Sequence, residues 1–113
     1  MTFSKKVINI LKGSKRLAIL TGAVLSEESG IVTFRTPGEK FQNHDIAELS
    51  SSEGFQNNPE LVWAWYQHRR RSVASKGPNK AHVAIKELGE LLPHVDVMTQ
   101  NVDILHQRAH TNN

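Results

Sequence analysis

A chain of 113 residues, 38% hydrophobic and 22% charged, has room for one small domain or for part of a larger one, and its composition is globular rather than disordered. It has no cysteine, which excludes disulfides, thiolate catalysis and a cysteine-ligated zinc within the chain, and no apolar run approaches the roughly 20 residues that cross a bilayer. The formal net charge of +3 is unevenly placed, because Lys5, Lys6, Lys12, Lys15 and Arg16 all precede the first acidic residue, Glu27. The N-terminal segment lacks the apolar core and cleavage site of a secretory signal and is poorer in Arg and Ser than a mitochondrial presequence. The expectation is therefore a basic surface helix, no membrane partner and a cytoplasmic location.

Ser4 is placed to cap a short helix over Lys5 to Lys12, with Val7, Ile8, Ile10 and Leu11 as its apolar positions and Gly13 as its stop. Leu17-Ala18-Ile19-Leu20 then reads as a buried parallel strand, ending at the turn signal Thr21-Gly22. A strand that runs into a turn of small residues can present backbone N–H groups to an anion, although a tight connection with no ligand has the same letters. From Leu25 to about Glu53 periodicity is poor, and Pro37-Gly38, Asn43 and Ser50-Ser51-Ser52 mark loops around brief helical turns. Such a long irregular stretch in a small domain is usually a lid or a binding loop.

Asn58-Pro59 is a strong helix start, and the helix should run through Trp63, Trp65 and Tyr66 to about Ala74 before Gly77-Pro78 stops it. Asn79 caps a further helix striped by Ala81, Ala84, Ile85, Leu88, Leu91 and Leu92 and ended by Pro93. Val95 to Thr99 reads as a second strand, Gln100 to Asp103 as its exit loop, and a last helix begins near Asp103 and runs out at Ala109-His110. Helices between short apolar strands predict an α/β fold with a parallel sheet. Ligands of such sheets sit outside the carboxyl ends of the strands, where the loops after Leu20 and after Thr99 both lie.

Several clusters could carry chemistry. Gln100, Asn101 and Asp103 offer amides and a carboxylate at the second strand's exit, suited to a carboxamide or ribose edge, and equally to capping the helix that follows. His106 and His110 stand at i, i+4, but no glutamate follows the first and no third ligand is apparent, so metal binding is not supported. Tyr66 and Arg69 share a helix face and could hold a carboxylate, while their spacing alone also suits an aromatic core stripe with a solvated basic end. Arg69-Arg70-Arg71 points in three directions without a nucleic-acid-binding motif, so no nucleic-acid partner is expected.

Taken together, three motifs in order resemble the sirtuin (Sir2) family of NAD-dependent protein-lysine deacylases. The family's T-G-A-G-I-S-x-E-S-G-I-P-x-F-R is matched by Thr21 to Arg35, its P-N-x-A-H by Pro78 to His82, and its T-Q-N-I-D-x-L-H by Thr99 to His106. Glu53-Gly54-Phe55, Asn58-Pro59 and Trp65 to Arg70 are similar to the subgroup of desuccinylase- and demalonylase-type members. The resemblance implies the N-terminal part of a Rossmann-like, helix-rich sirtuin domain over residues 1–113. It implies Gly22, Ala23, Phe34, Arg35, Gln100, Asn101 and Asp103 as NAD-binding residues. It implies Tyr66 and Arg69 as the pair that recognises the carboxylate of succinyl- or malonyl-lysine, with acetyl-, succinyl- or malonyl-lysine proteins as the partners.

The family reaction transfers the acyl group to the ADP-ribose of NAD, releasing nicotinamide. In the family, the general-base histidine, the four-cysteine zinc module and the later strands come after the position of Asn113, and neither His106 nor His110 aligns with that histidine. The resemblance thus implies no catalytic residue and no zinc ligand in this chain, and a polypeptide inactive alone. The runner-up is a non-catalytic, self-associating or partner-binding module. Departures from the family pattern are Val24 for the second glycine of the turn, Val32 for a proline, Pro37 for a small alanine and His110 for a glycine. A β-branched side chain at residue 24, in place of bare backbone, is expected to weaken NAD binding.

Overall fold

The computed structural model describes residues 2–34 and 36–110, and the chain divides into two compact units, Met1–Gly22 with Pro78–Asn113, and Ala23–Gly77. In the first unit, helix α1 (Lys5–Gly13) starts where Ser4 accepts a hydrogen bond from the Val7 N–H, and Ser14 closes it by donating its N–H to the Leu11 carbonyl. Gly13 thus belongs to the helix rather than stopping it. None of the apolar side chains of α1 is buried.

Strand β1 (Arg16–Thr21) pairs in parallel with the chain's last strand, His94–Thr99, from Arg16 opposite His94 to Thr21 opposite Thr99. Both strand exits therefore lie at one end of the sheet. The apolar run of β1 predicts a strand covered on both faces, yet exposure alternates along it, and Leu20 is 72% exposed while Leu17 and Ile19 are partly covered. Periodicity cannot separate a strand covered on both faces from one covered on a single face when both faces carry apolar residues. The helix before the last strand, Lys80–Leu91, packs against it. Asn79 accepts from the Ala81 and His82 N–H groups, and the His82 ring accepts from the Asn79 N–H in return. This is a capping box with histidine in the place usually held by Glu or Gln.

The second unit holds the stretch of poor periodicity, which contains several short helices and strands. Helix α2 (Ala23–Glu27) is followed by strands β2 (Lys40–Phe41) and β3 (His44–Asp45), paired antiparallel across the two-residue turn Gln42-Asn43. Both turn residues have positive φ, 48° and 65°, as a type I′ turn demands. Helices α3 (Ile46–Leu49) and α4 (Ser52–Asn57) lead into the 16-residue α5 (Pro59–Ala74), which Asn58 caps through the Leu61 N–H.

Ile46 and Leu49 of α3 join Val62 and Trp65 of α5 in a buried cluster flanked by Phe41 and Leu61. The segment before α5 thus supplies half of this unit's core. Back in the first unit come α6 (Lys80–Leu91), β4 (His94–Thr99) and the single turn α7 (Leu105–Arg108). No helix among the described residues is long and apolar enough to cross a membrane.

Candidate functional site

In the first unit the site residues sit where β1 and β4 end. The Gln100 N–H donates to the Thr21 carbonyl at 3.1 Å, which extends the ladder one step past the strands. The Asn101 side-chain amide donates to the Gly22 carbonyl at 3.0 Å, and the Asn101 N–H donates to Thr99 Oγ1 at 3.0 Å. Asp103 accepts from the Leu105 N–H at 3.0 Å. The capping alternative is therefore realised for Asp103, and Asn101 instead ties the two exits together across a sequence separation of 79 residues. Gly22 has no positive φ, and a Cβ added to it would meet nothing within 4 Å. Neither backbone conformation nor protein packing requires glycine there, which leaves room for a ligand against bare backbone.

Beside these exits lie two buried histidines, the last residues of two of the matched motifs. His82, fully buried, and His106, 3% exposed, meet edge to face with ring centroids 5.0 Å apart. His106 Nε2 is 3.1 Å from Thr21 Oγ1. The His82 pKa is lowered from its ordinary 6.5, first by burial and then by the neighbouring His106, against an opposing pull from Asp103. Each histidine closes one of the matched motifs, P-N-x-A-H and T-Q-N-I-D-x-L-H, but its burial is a tertiary property that the letters do not carry. His110 adopts φ 59° beyond the end of α7 and is exposed, so the i, i+4 pair does not share a helix face.

In the second unit Arg69 of α5 donates from Nη1 to the Val32 carbonyl at 2.6 Å and stacks over the Phe34 ring, 4.5 Å from its centroid. Phe34 in turn lies 5.5 Å from Trp65, whose ring meets Tyr66 at 4.5 Å. The structure thus gathers Phe34, Tyr66 and Arg69 around the buried Trp65. Spacing alone recommended a solvated basic end, but only Arg70 and Arg71 are exposed. Ala23 opens α2 and is exposed, followed by Val24 at 73% exposure. Arg35 lies outside the described residues.

The chain has no cysteine, and no group of three His, Asp or Glu among the described residues could hold a metal ion.

The Sir2 family model matches residues 22–113. A curated relative named NAD-dependent protein deacylase, from Methylococcus capsulatus, is 46% identical over 110 residues, covering 96% of this chain and 43% of the relative. The NAD-dependent protein deacylase sirtuin-5, mitochondrial, of Danio rerio is 45% identical over 100 residues, covering 85% of this chain and 33% of the relative. Among solved structures, a mutant Sir2 homologue in complex with 2′-O-acetyl ADP ribose aligns with a TM-score of 0.86 at 41% identity, covering 98% of this chain and 45% of that one. A Sir2 homologue in complex with NAD gives 0.82 at 41% identity, with coverages of 99% and 44%. The chain spans 38 to 43% of the length of the first three curated relatives it matches. With motif, fold and family model in agreement over most of its residues, the chain belongs to the Sir2 family.

Proposed function

We propose that this chain is the N-terminal portion of an NAD-dependent protein-lysine deacylase, and that it binds NAD through Gly22, Ala23, Phe34, Arg35, Gln100, Asn101 and Asp103. The observation that carries this is the 3.0 Å bond from Asn101 to the Gly22 carbonyl, which holds the two motif loops together at the carboxyl ends of parallel strands. NAD, when bound, supplies the ribose carbon that accepts the acyl oxygen and the nicotinamide that leaves. The first unit's part is to offer bare backbone at Gly22 and a carboxamide and a carboxylate from the β4 exit. Tyr66 and Arg69 would read the acyl group, with the Arg69 guanidinium favouring the carboxylate of succinyl- or malonyl-lysine over a neutral acetyl group.

Calorimetric titration with NAD tests this reading. Heat of binding is expected, and Val24→Gly should bind at least about threefold tighter because it removes an exposed β-branched side chain beside the turn. Absence of heat in both proteins would overturn the cofactor reading. No histidine of this chain matches the family's general base, so the 113-residue polypeptide alone should release no nicotinamide with a succinyl-lysine peptide. Release that Arg35→Ala abolishes would overturn that part.

One observation favours the second reading, an association module: Leu20, Leu91 and Val102 are 72%, 79% and 89% exposed within one small unit. Light scattering after size exclusion should then show a dimer or larger species, and a monodisperse monomer would count against it.

A further inference from the structure

Helix α1 has an apolar side that the described residues leave exposed. At roughly 100° per residue, Val7, Ile8, Ile10 and Leu11 fall within an arc of about 160°. Lys5 and Asn9 lie opposite, and Lys6 and Lys12 stand at the two borders of the arc, each about 40° from Ile10 and Ile8 respectively. The arc is not turned into the first unit, since Val7 is 41% exposed, Ile8 38%, Ile10 60% and Leu11 47%, and no residue of α1 is buried. Phe3, just before the cap, is 62% exposed as well. A helix of 9 residues is marginal in water on propensity alone, and in folded proteins such a helix owes most of its stability to the covering of its apolar side.

Charge decides between the possible covers. No acidic residue occurs before Glu27, whereas Lys15 and Arg16, both exposed, follow α1 closely. A lysine at the border of an apolar arc can lay its four-carbon stem along hydrocarbon and keep its ammonium among polar headgroups. A second copy of this chain seated helix to helix would instead set lysines against lysines with no carboxylate between them. An anionic bilayer surface is complementary on both counts, with hydrocarbon for the arc and negative headgroups for the lysines.

We infer that α1 is an interfacial membrane helix, which lies in the plane of an anionic phospholipid surface with Val7, Ile8, Ile10 and Leu11 below the headgroups and Lys5, Lys6 and Lys12 among them. Phe3 extends the apolar side at the helix start. No described helix can cross a membrane, but a helix lying in the interface needs an apolar side and not an apolar length. The inference therefore departs from the expectation of no membrane partner, which considered only spanning segments and targeting signals. It does not rest on the proposed NAD site.

Cosedimentation of the 113-residue chain with vesicles tests it. Partitioning onto vesicles of equal parts phosphatidylglycerol and phosphatidylcholine should be at least about tenfold stronger than onto phosphatidylcholine alone, and should weaken at least about threefold between about 0.1 M and about 0.5 M salt. The double variant Ile10→Ser with Leu11→Ser should lose at least about tenfold on the mixed vesicles, and so should the triple variant Lys5→Gln, Lys6→Gln and Lys12→Gln. Arg70→Gln with Arg71→Gln removes two exposed charges from α5 instead and should stay within about twofold of the native chain.

No binding to the mixed vesicles overturns the inference, as does a serine variant that binds like the native chain. Equal losses from the α1 lysines and the α5 arginines would mean attraction by overall charge and overturn it too. A native chain that dimerises in light scattering, turns monomeric in the serine variant and ignores vesicles would assign the apolar side to a second copy, which also overturns it. Because no side chain of α1 is buried, the variants should unfold at the native urea midpoint. Should the serine pair not fold, the glutamine triple and the lipid and salt dependence of the native chain decide the question.

Discussion

Gly54→Ala should destabilise the Ala23–Gly77 unit by about 3 kcal/mol, the upper end for forcing extra volume into a packed site. Ordinary helix propensity predicts the opposite sign. Gly54 lies inside α4, where alanine is favoured over glycine by about 1 kcal/mol. The contact decides it, because a Cβ on residue 54 would overlap the Glu48 carbonyl oxygen and reach 3.2 Å from Ser51 Oγ. That oxygen is also the acceptor of the Ser51 hydroxyl at 2.6 Å, while the same hydroxyl accepts the Gly54 N–H at 2.9 Å. The α3–α4 corner has no soft side chain that could move aside. Because α3 places Ile46 and Leu49 on Trp65, a shift of this corner opens the cluster they form. Gly89→Ala in α6 is the control, since nothing lies within 4 Å of its added Cβ, and it should stabilise by up to about 1 kcal/mol. Urea unfolding of the two variants with the same sign of change would refute the steric account.

Leu105→Ala should cost about 2–5 kcal/mol, the range for emptying a fully buried leucine site. Leu105 is completely buried at the start of α7, a helix of one turn that has no side-chain cap at Ile104. Its position rests on this side chain and on the bond from its N–H to Asp103. Losing it would release His106 from Thr21 and Asp103 from the loop together. The variant should therefore lose NAD binding at temperatures where the native chain is folded, and far-UV circular dichroism should show a lowered melting point. A change under about 1 kcal/mol in urea unfolding would mean that α7 is held by other contacts.

Much of the fold is local in origin and was legible as such. Ser4, Asn58-Pro59 and Asn79 each start a helix where a capping side chain can accept an orphan N–H, and all three caps form. The two short predicted strands become the parallel pair, and Gly22, Gln100 and Asn101 stand at its exits. The stretch from Leu25 to Glu53 was not legible, because elements of two to six residues are shorter than the windows in which periodicity can be recognised. Its order comes from long-range packing of Phe41, Ile46 and Leu49 against α5.

The candidate site divides in the same way. Family membership and the identity of the strand-exit residues follow from motif letters and spacing, since both depend on residues adjacent in sequence. Whether a given side chain binds ligand, packs or holds another residue depends on neighbours far away in the chain, and only the tertiary structure decides that. It turns Asn101 onto Gly22, stacks Arg69 on Phe34, and buries His82 and His106 behind Thr21. A polar group's role is set by what replaces its water. For Asn101, Arg69 and His106 the hydrogen-bond partners lie between 37 and 85 positions away, beyond the reach of any local pattern.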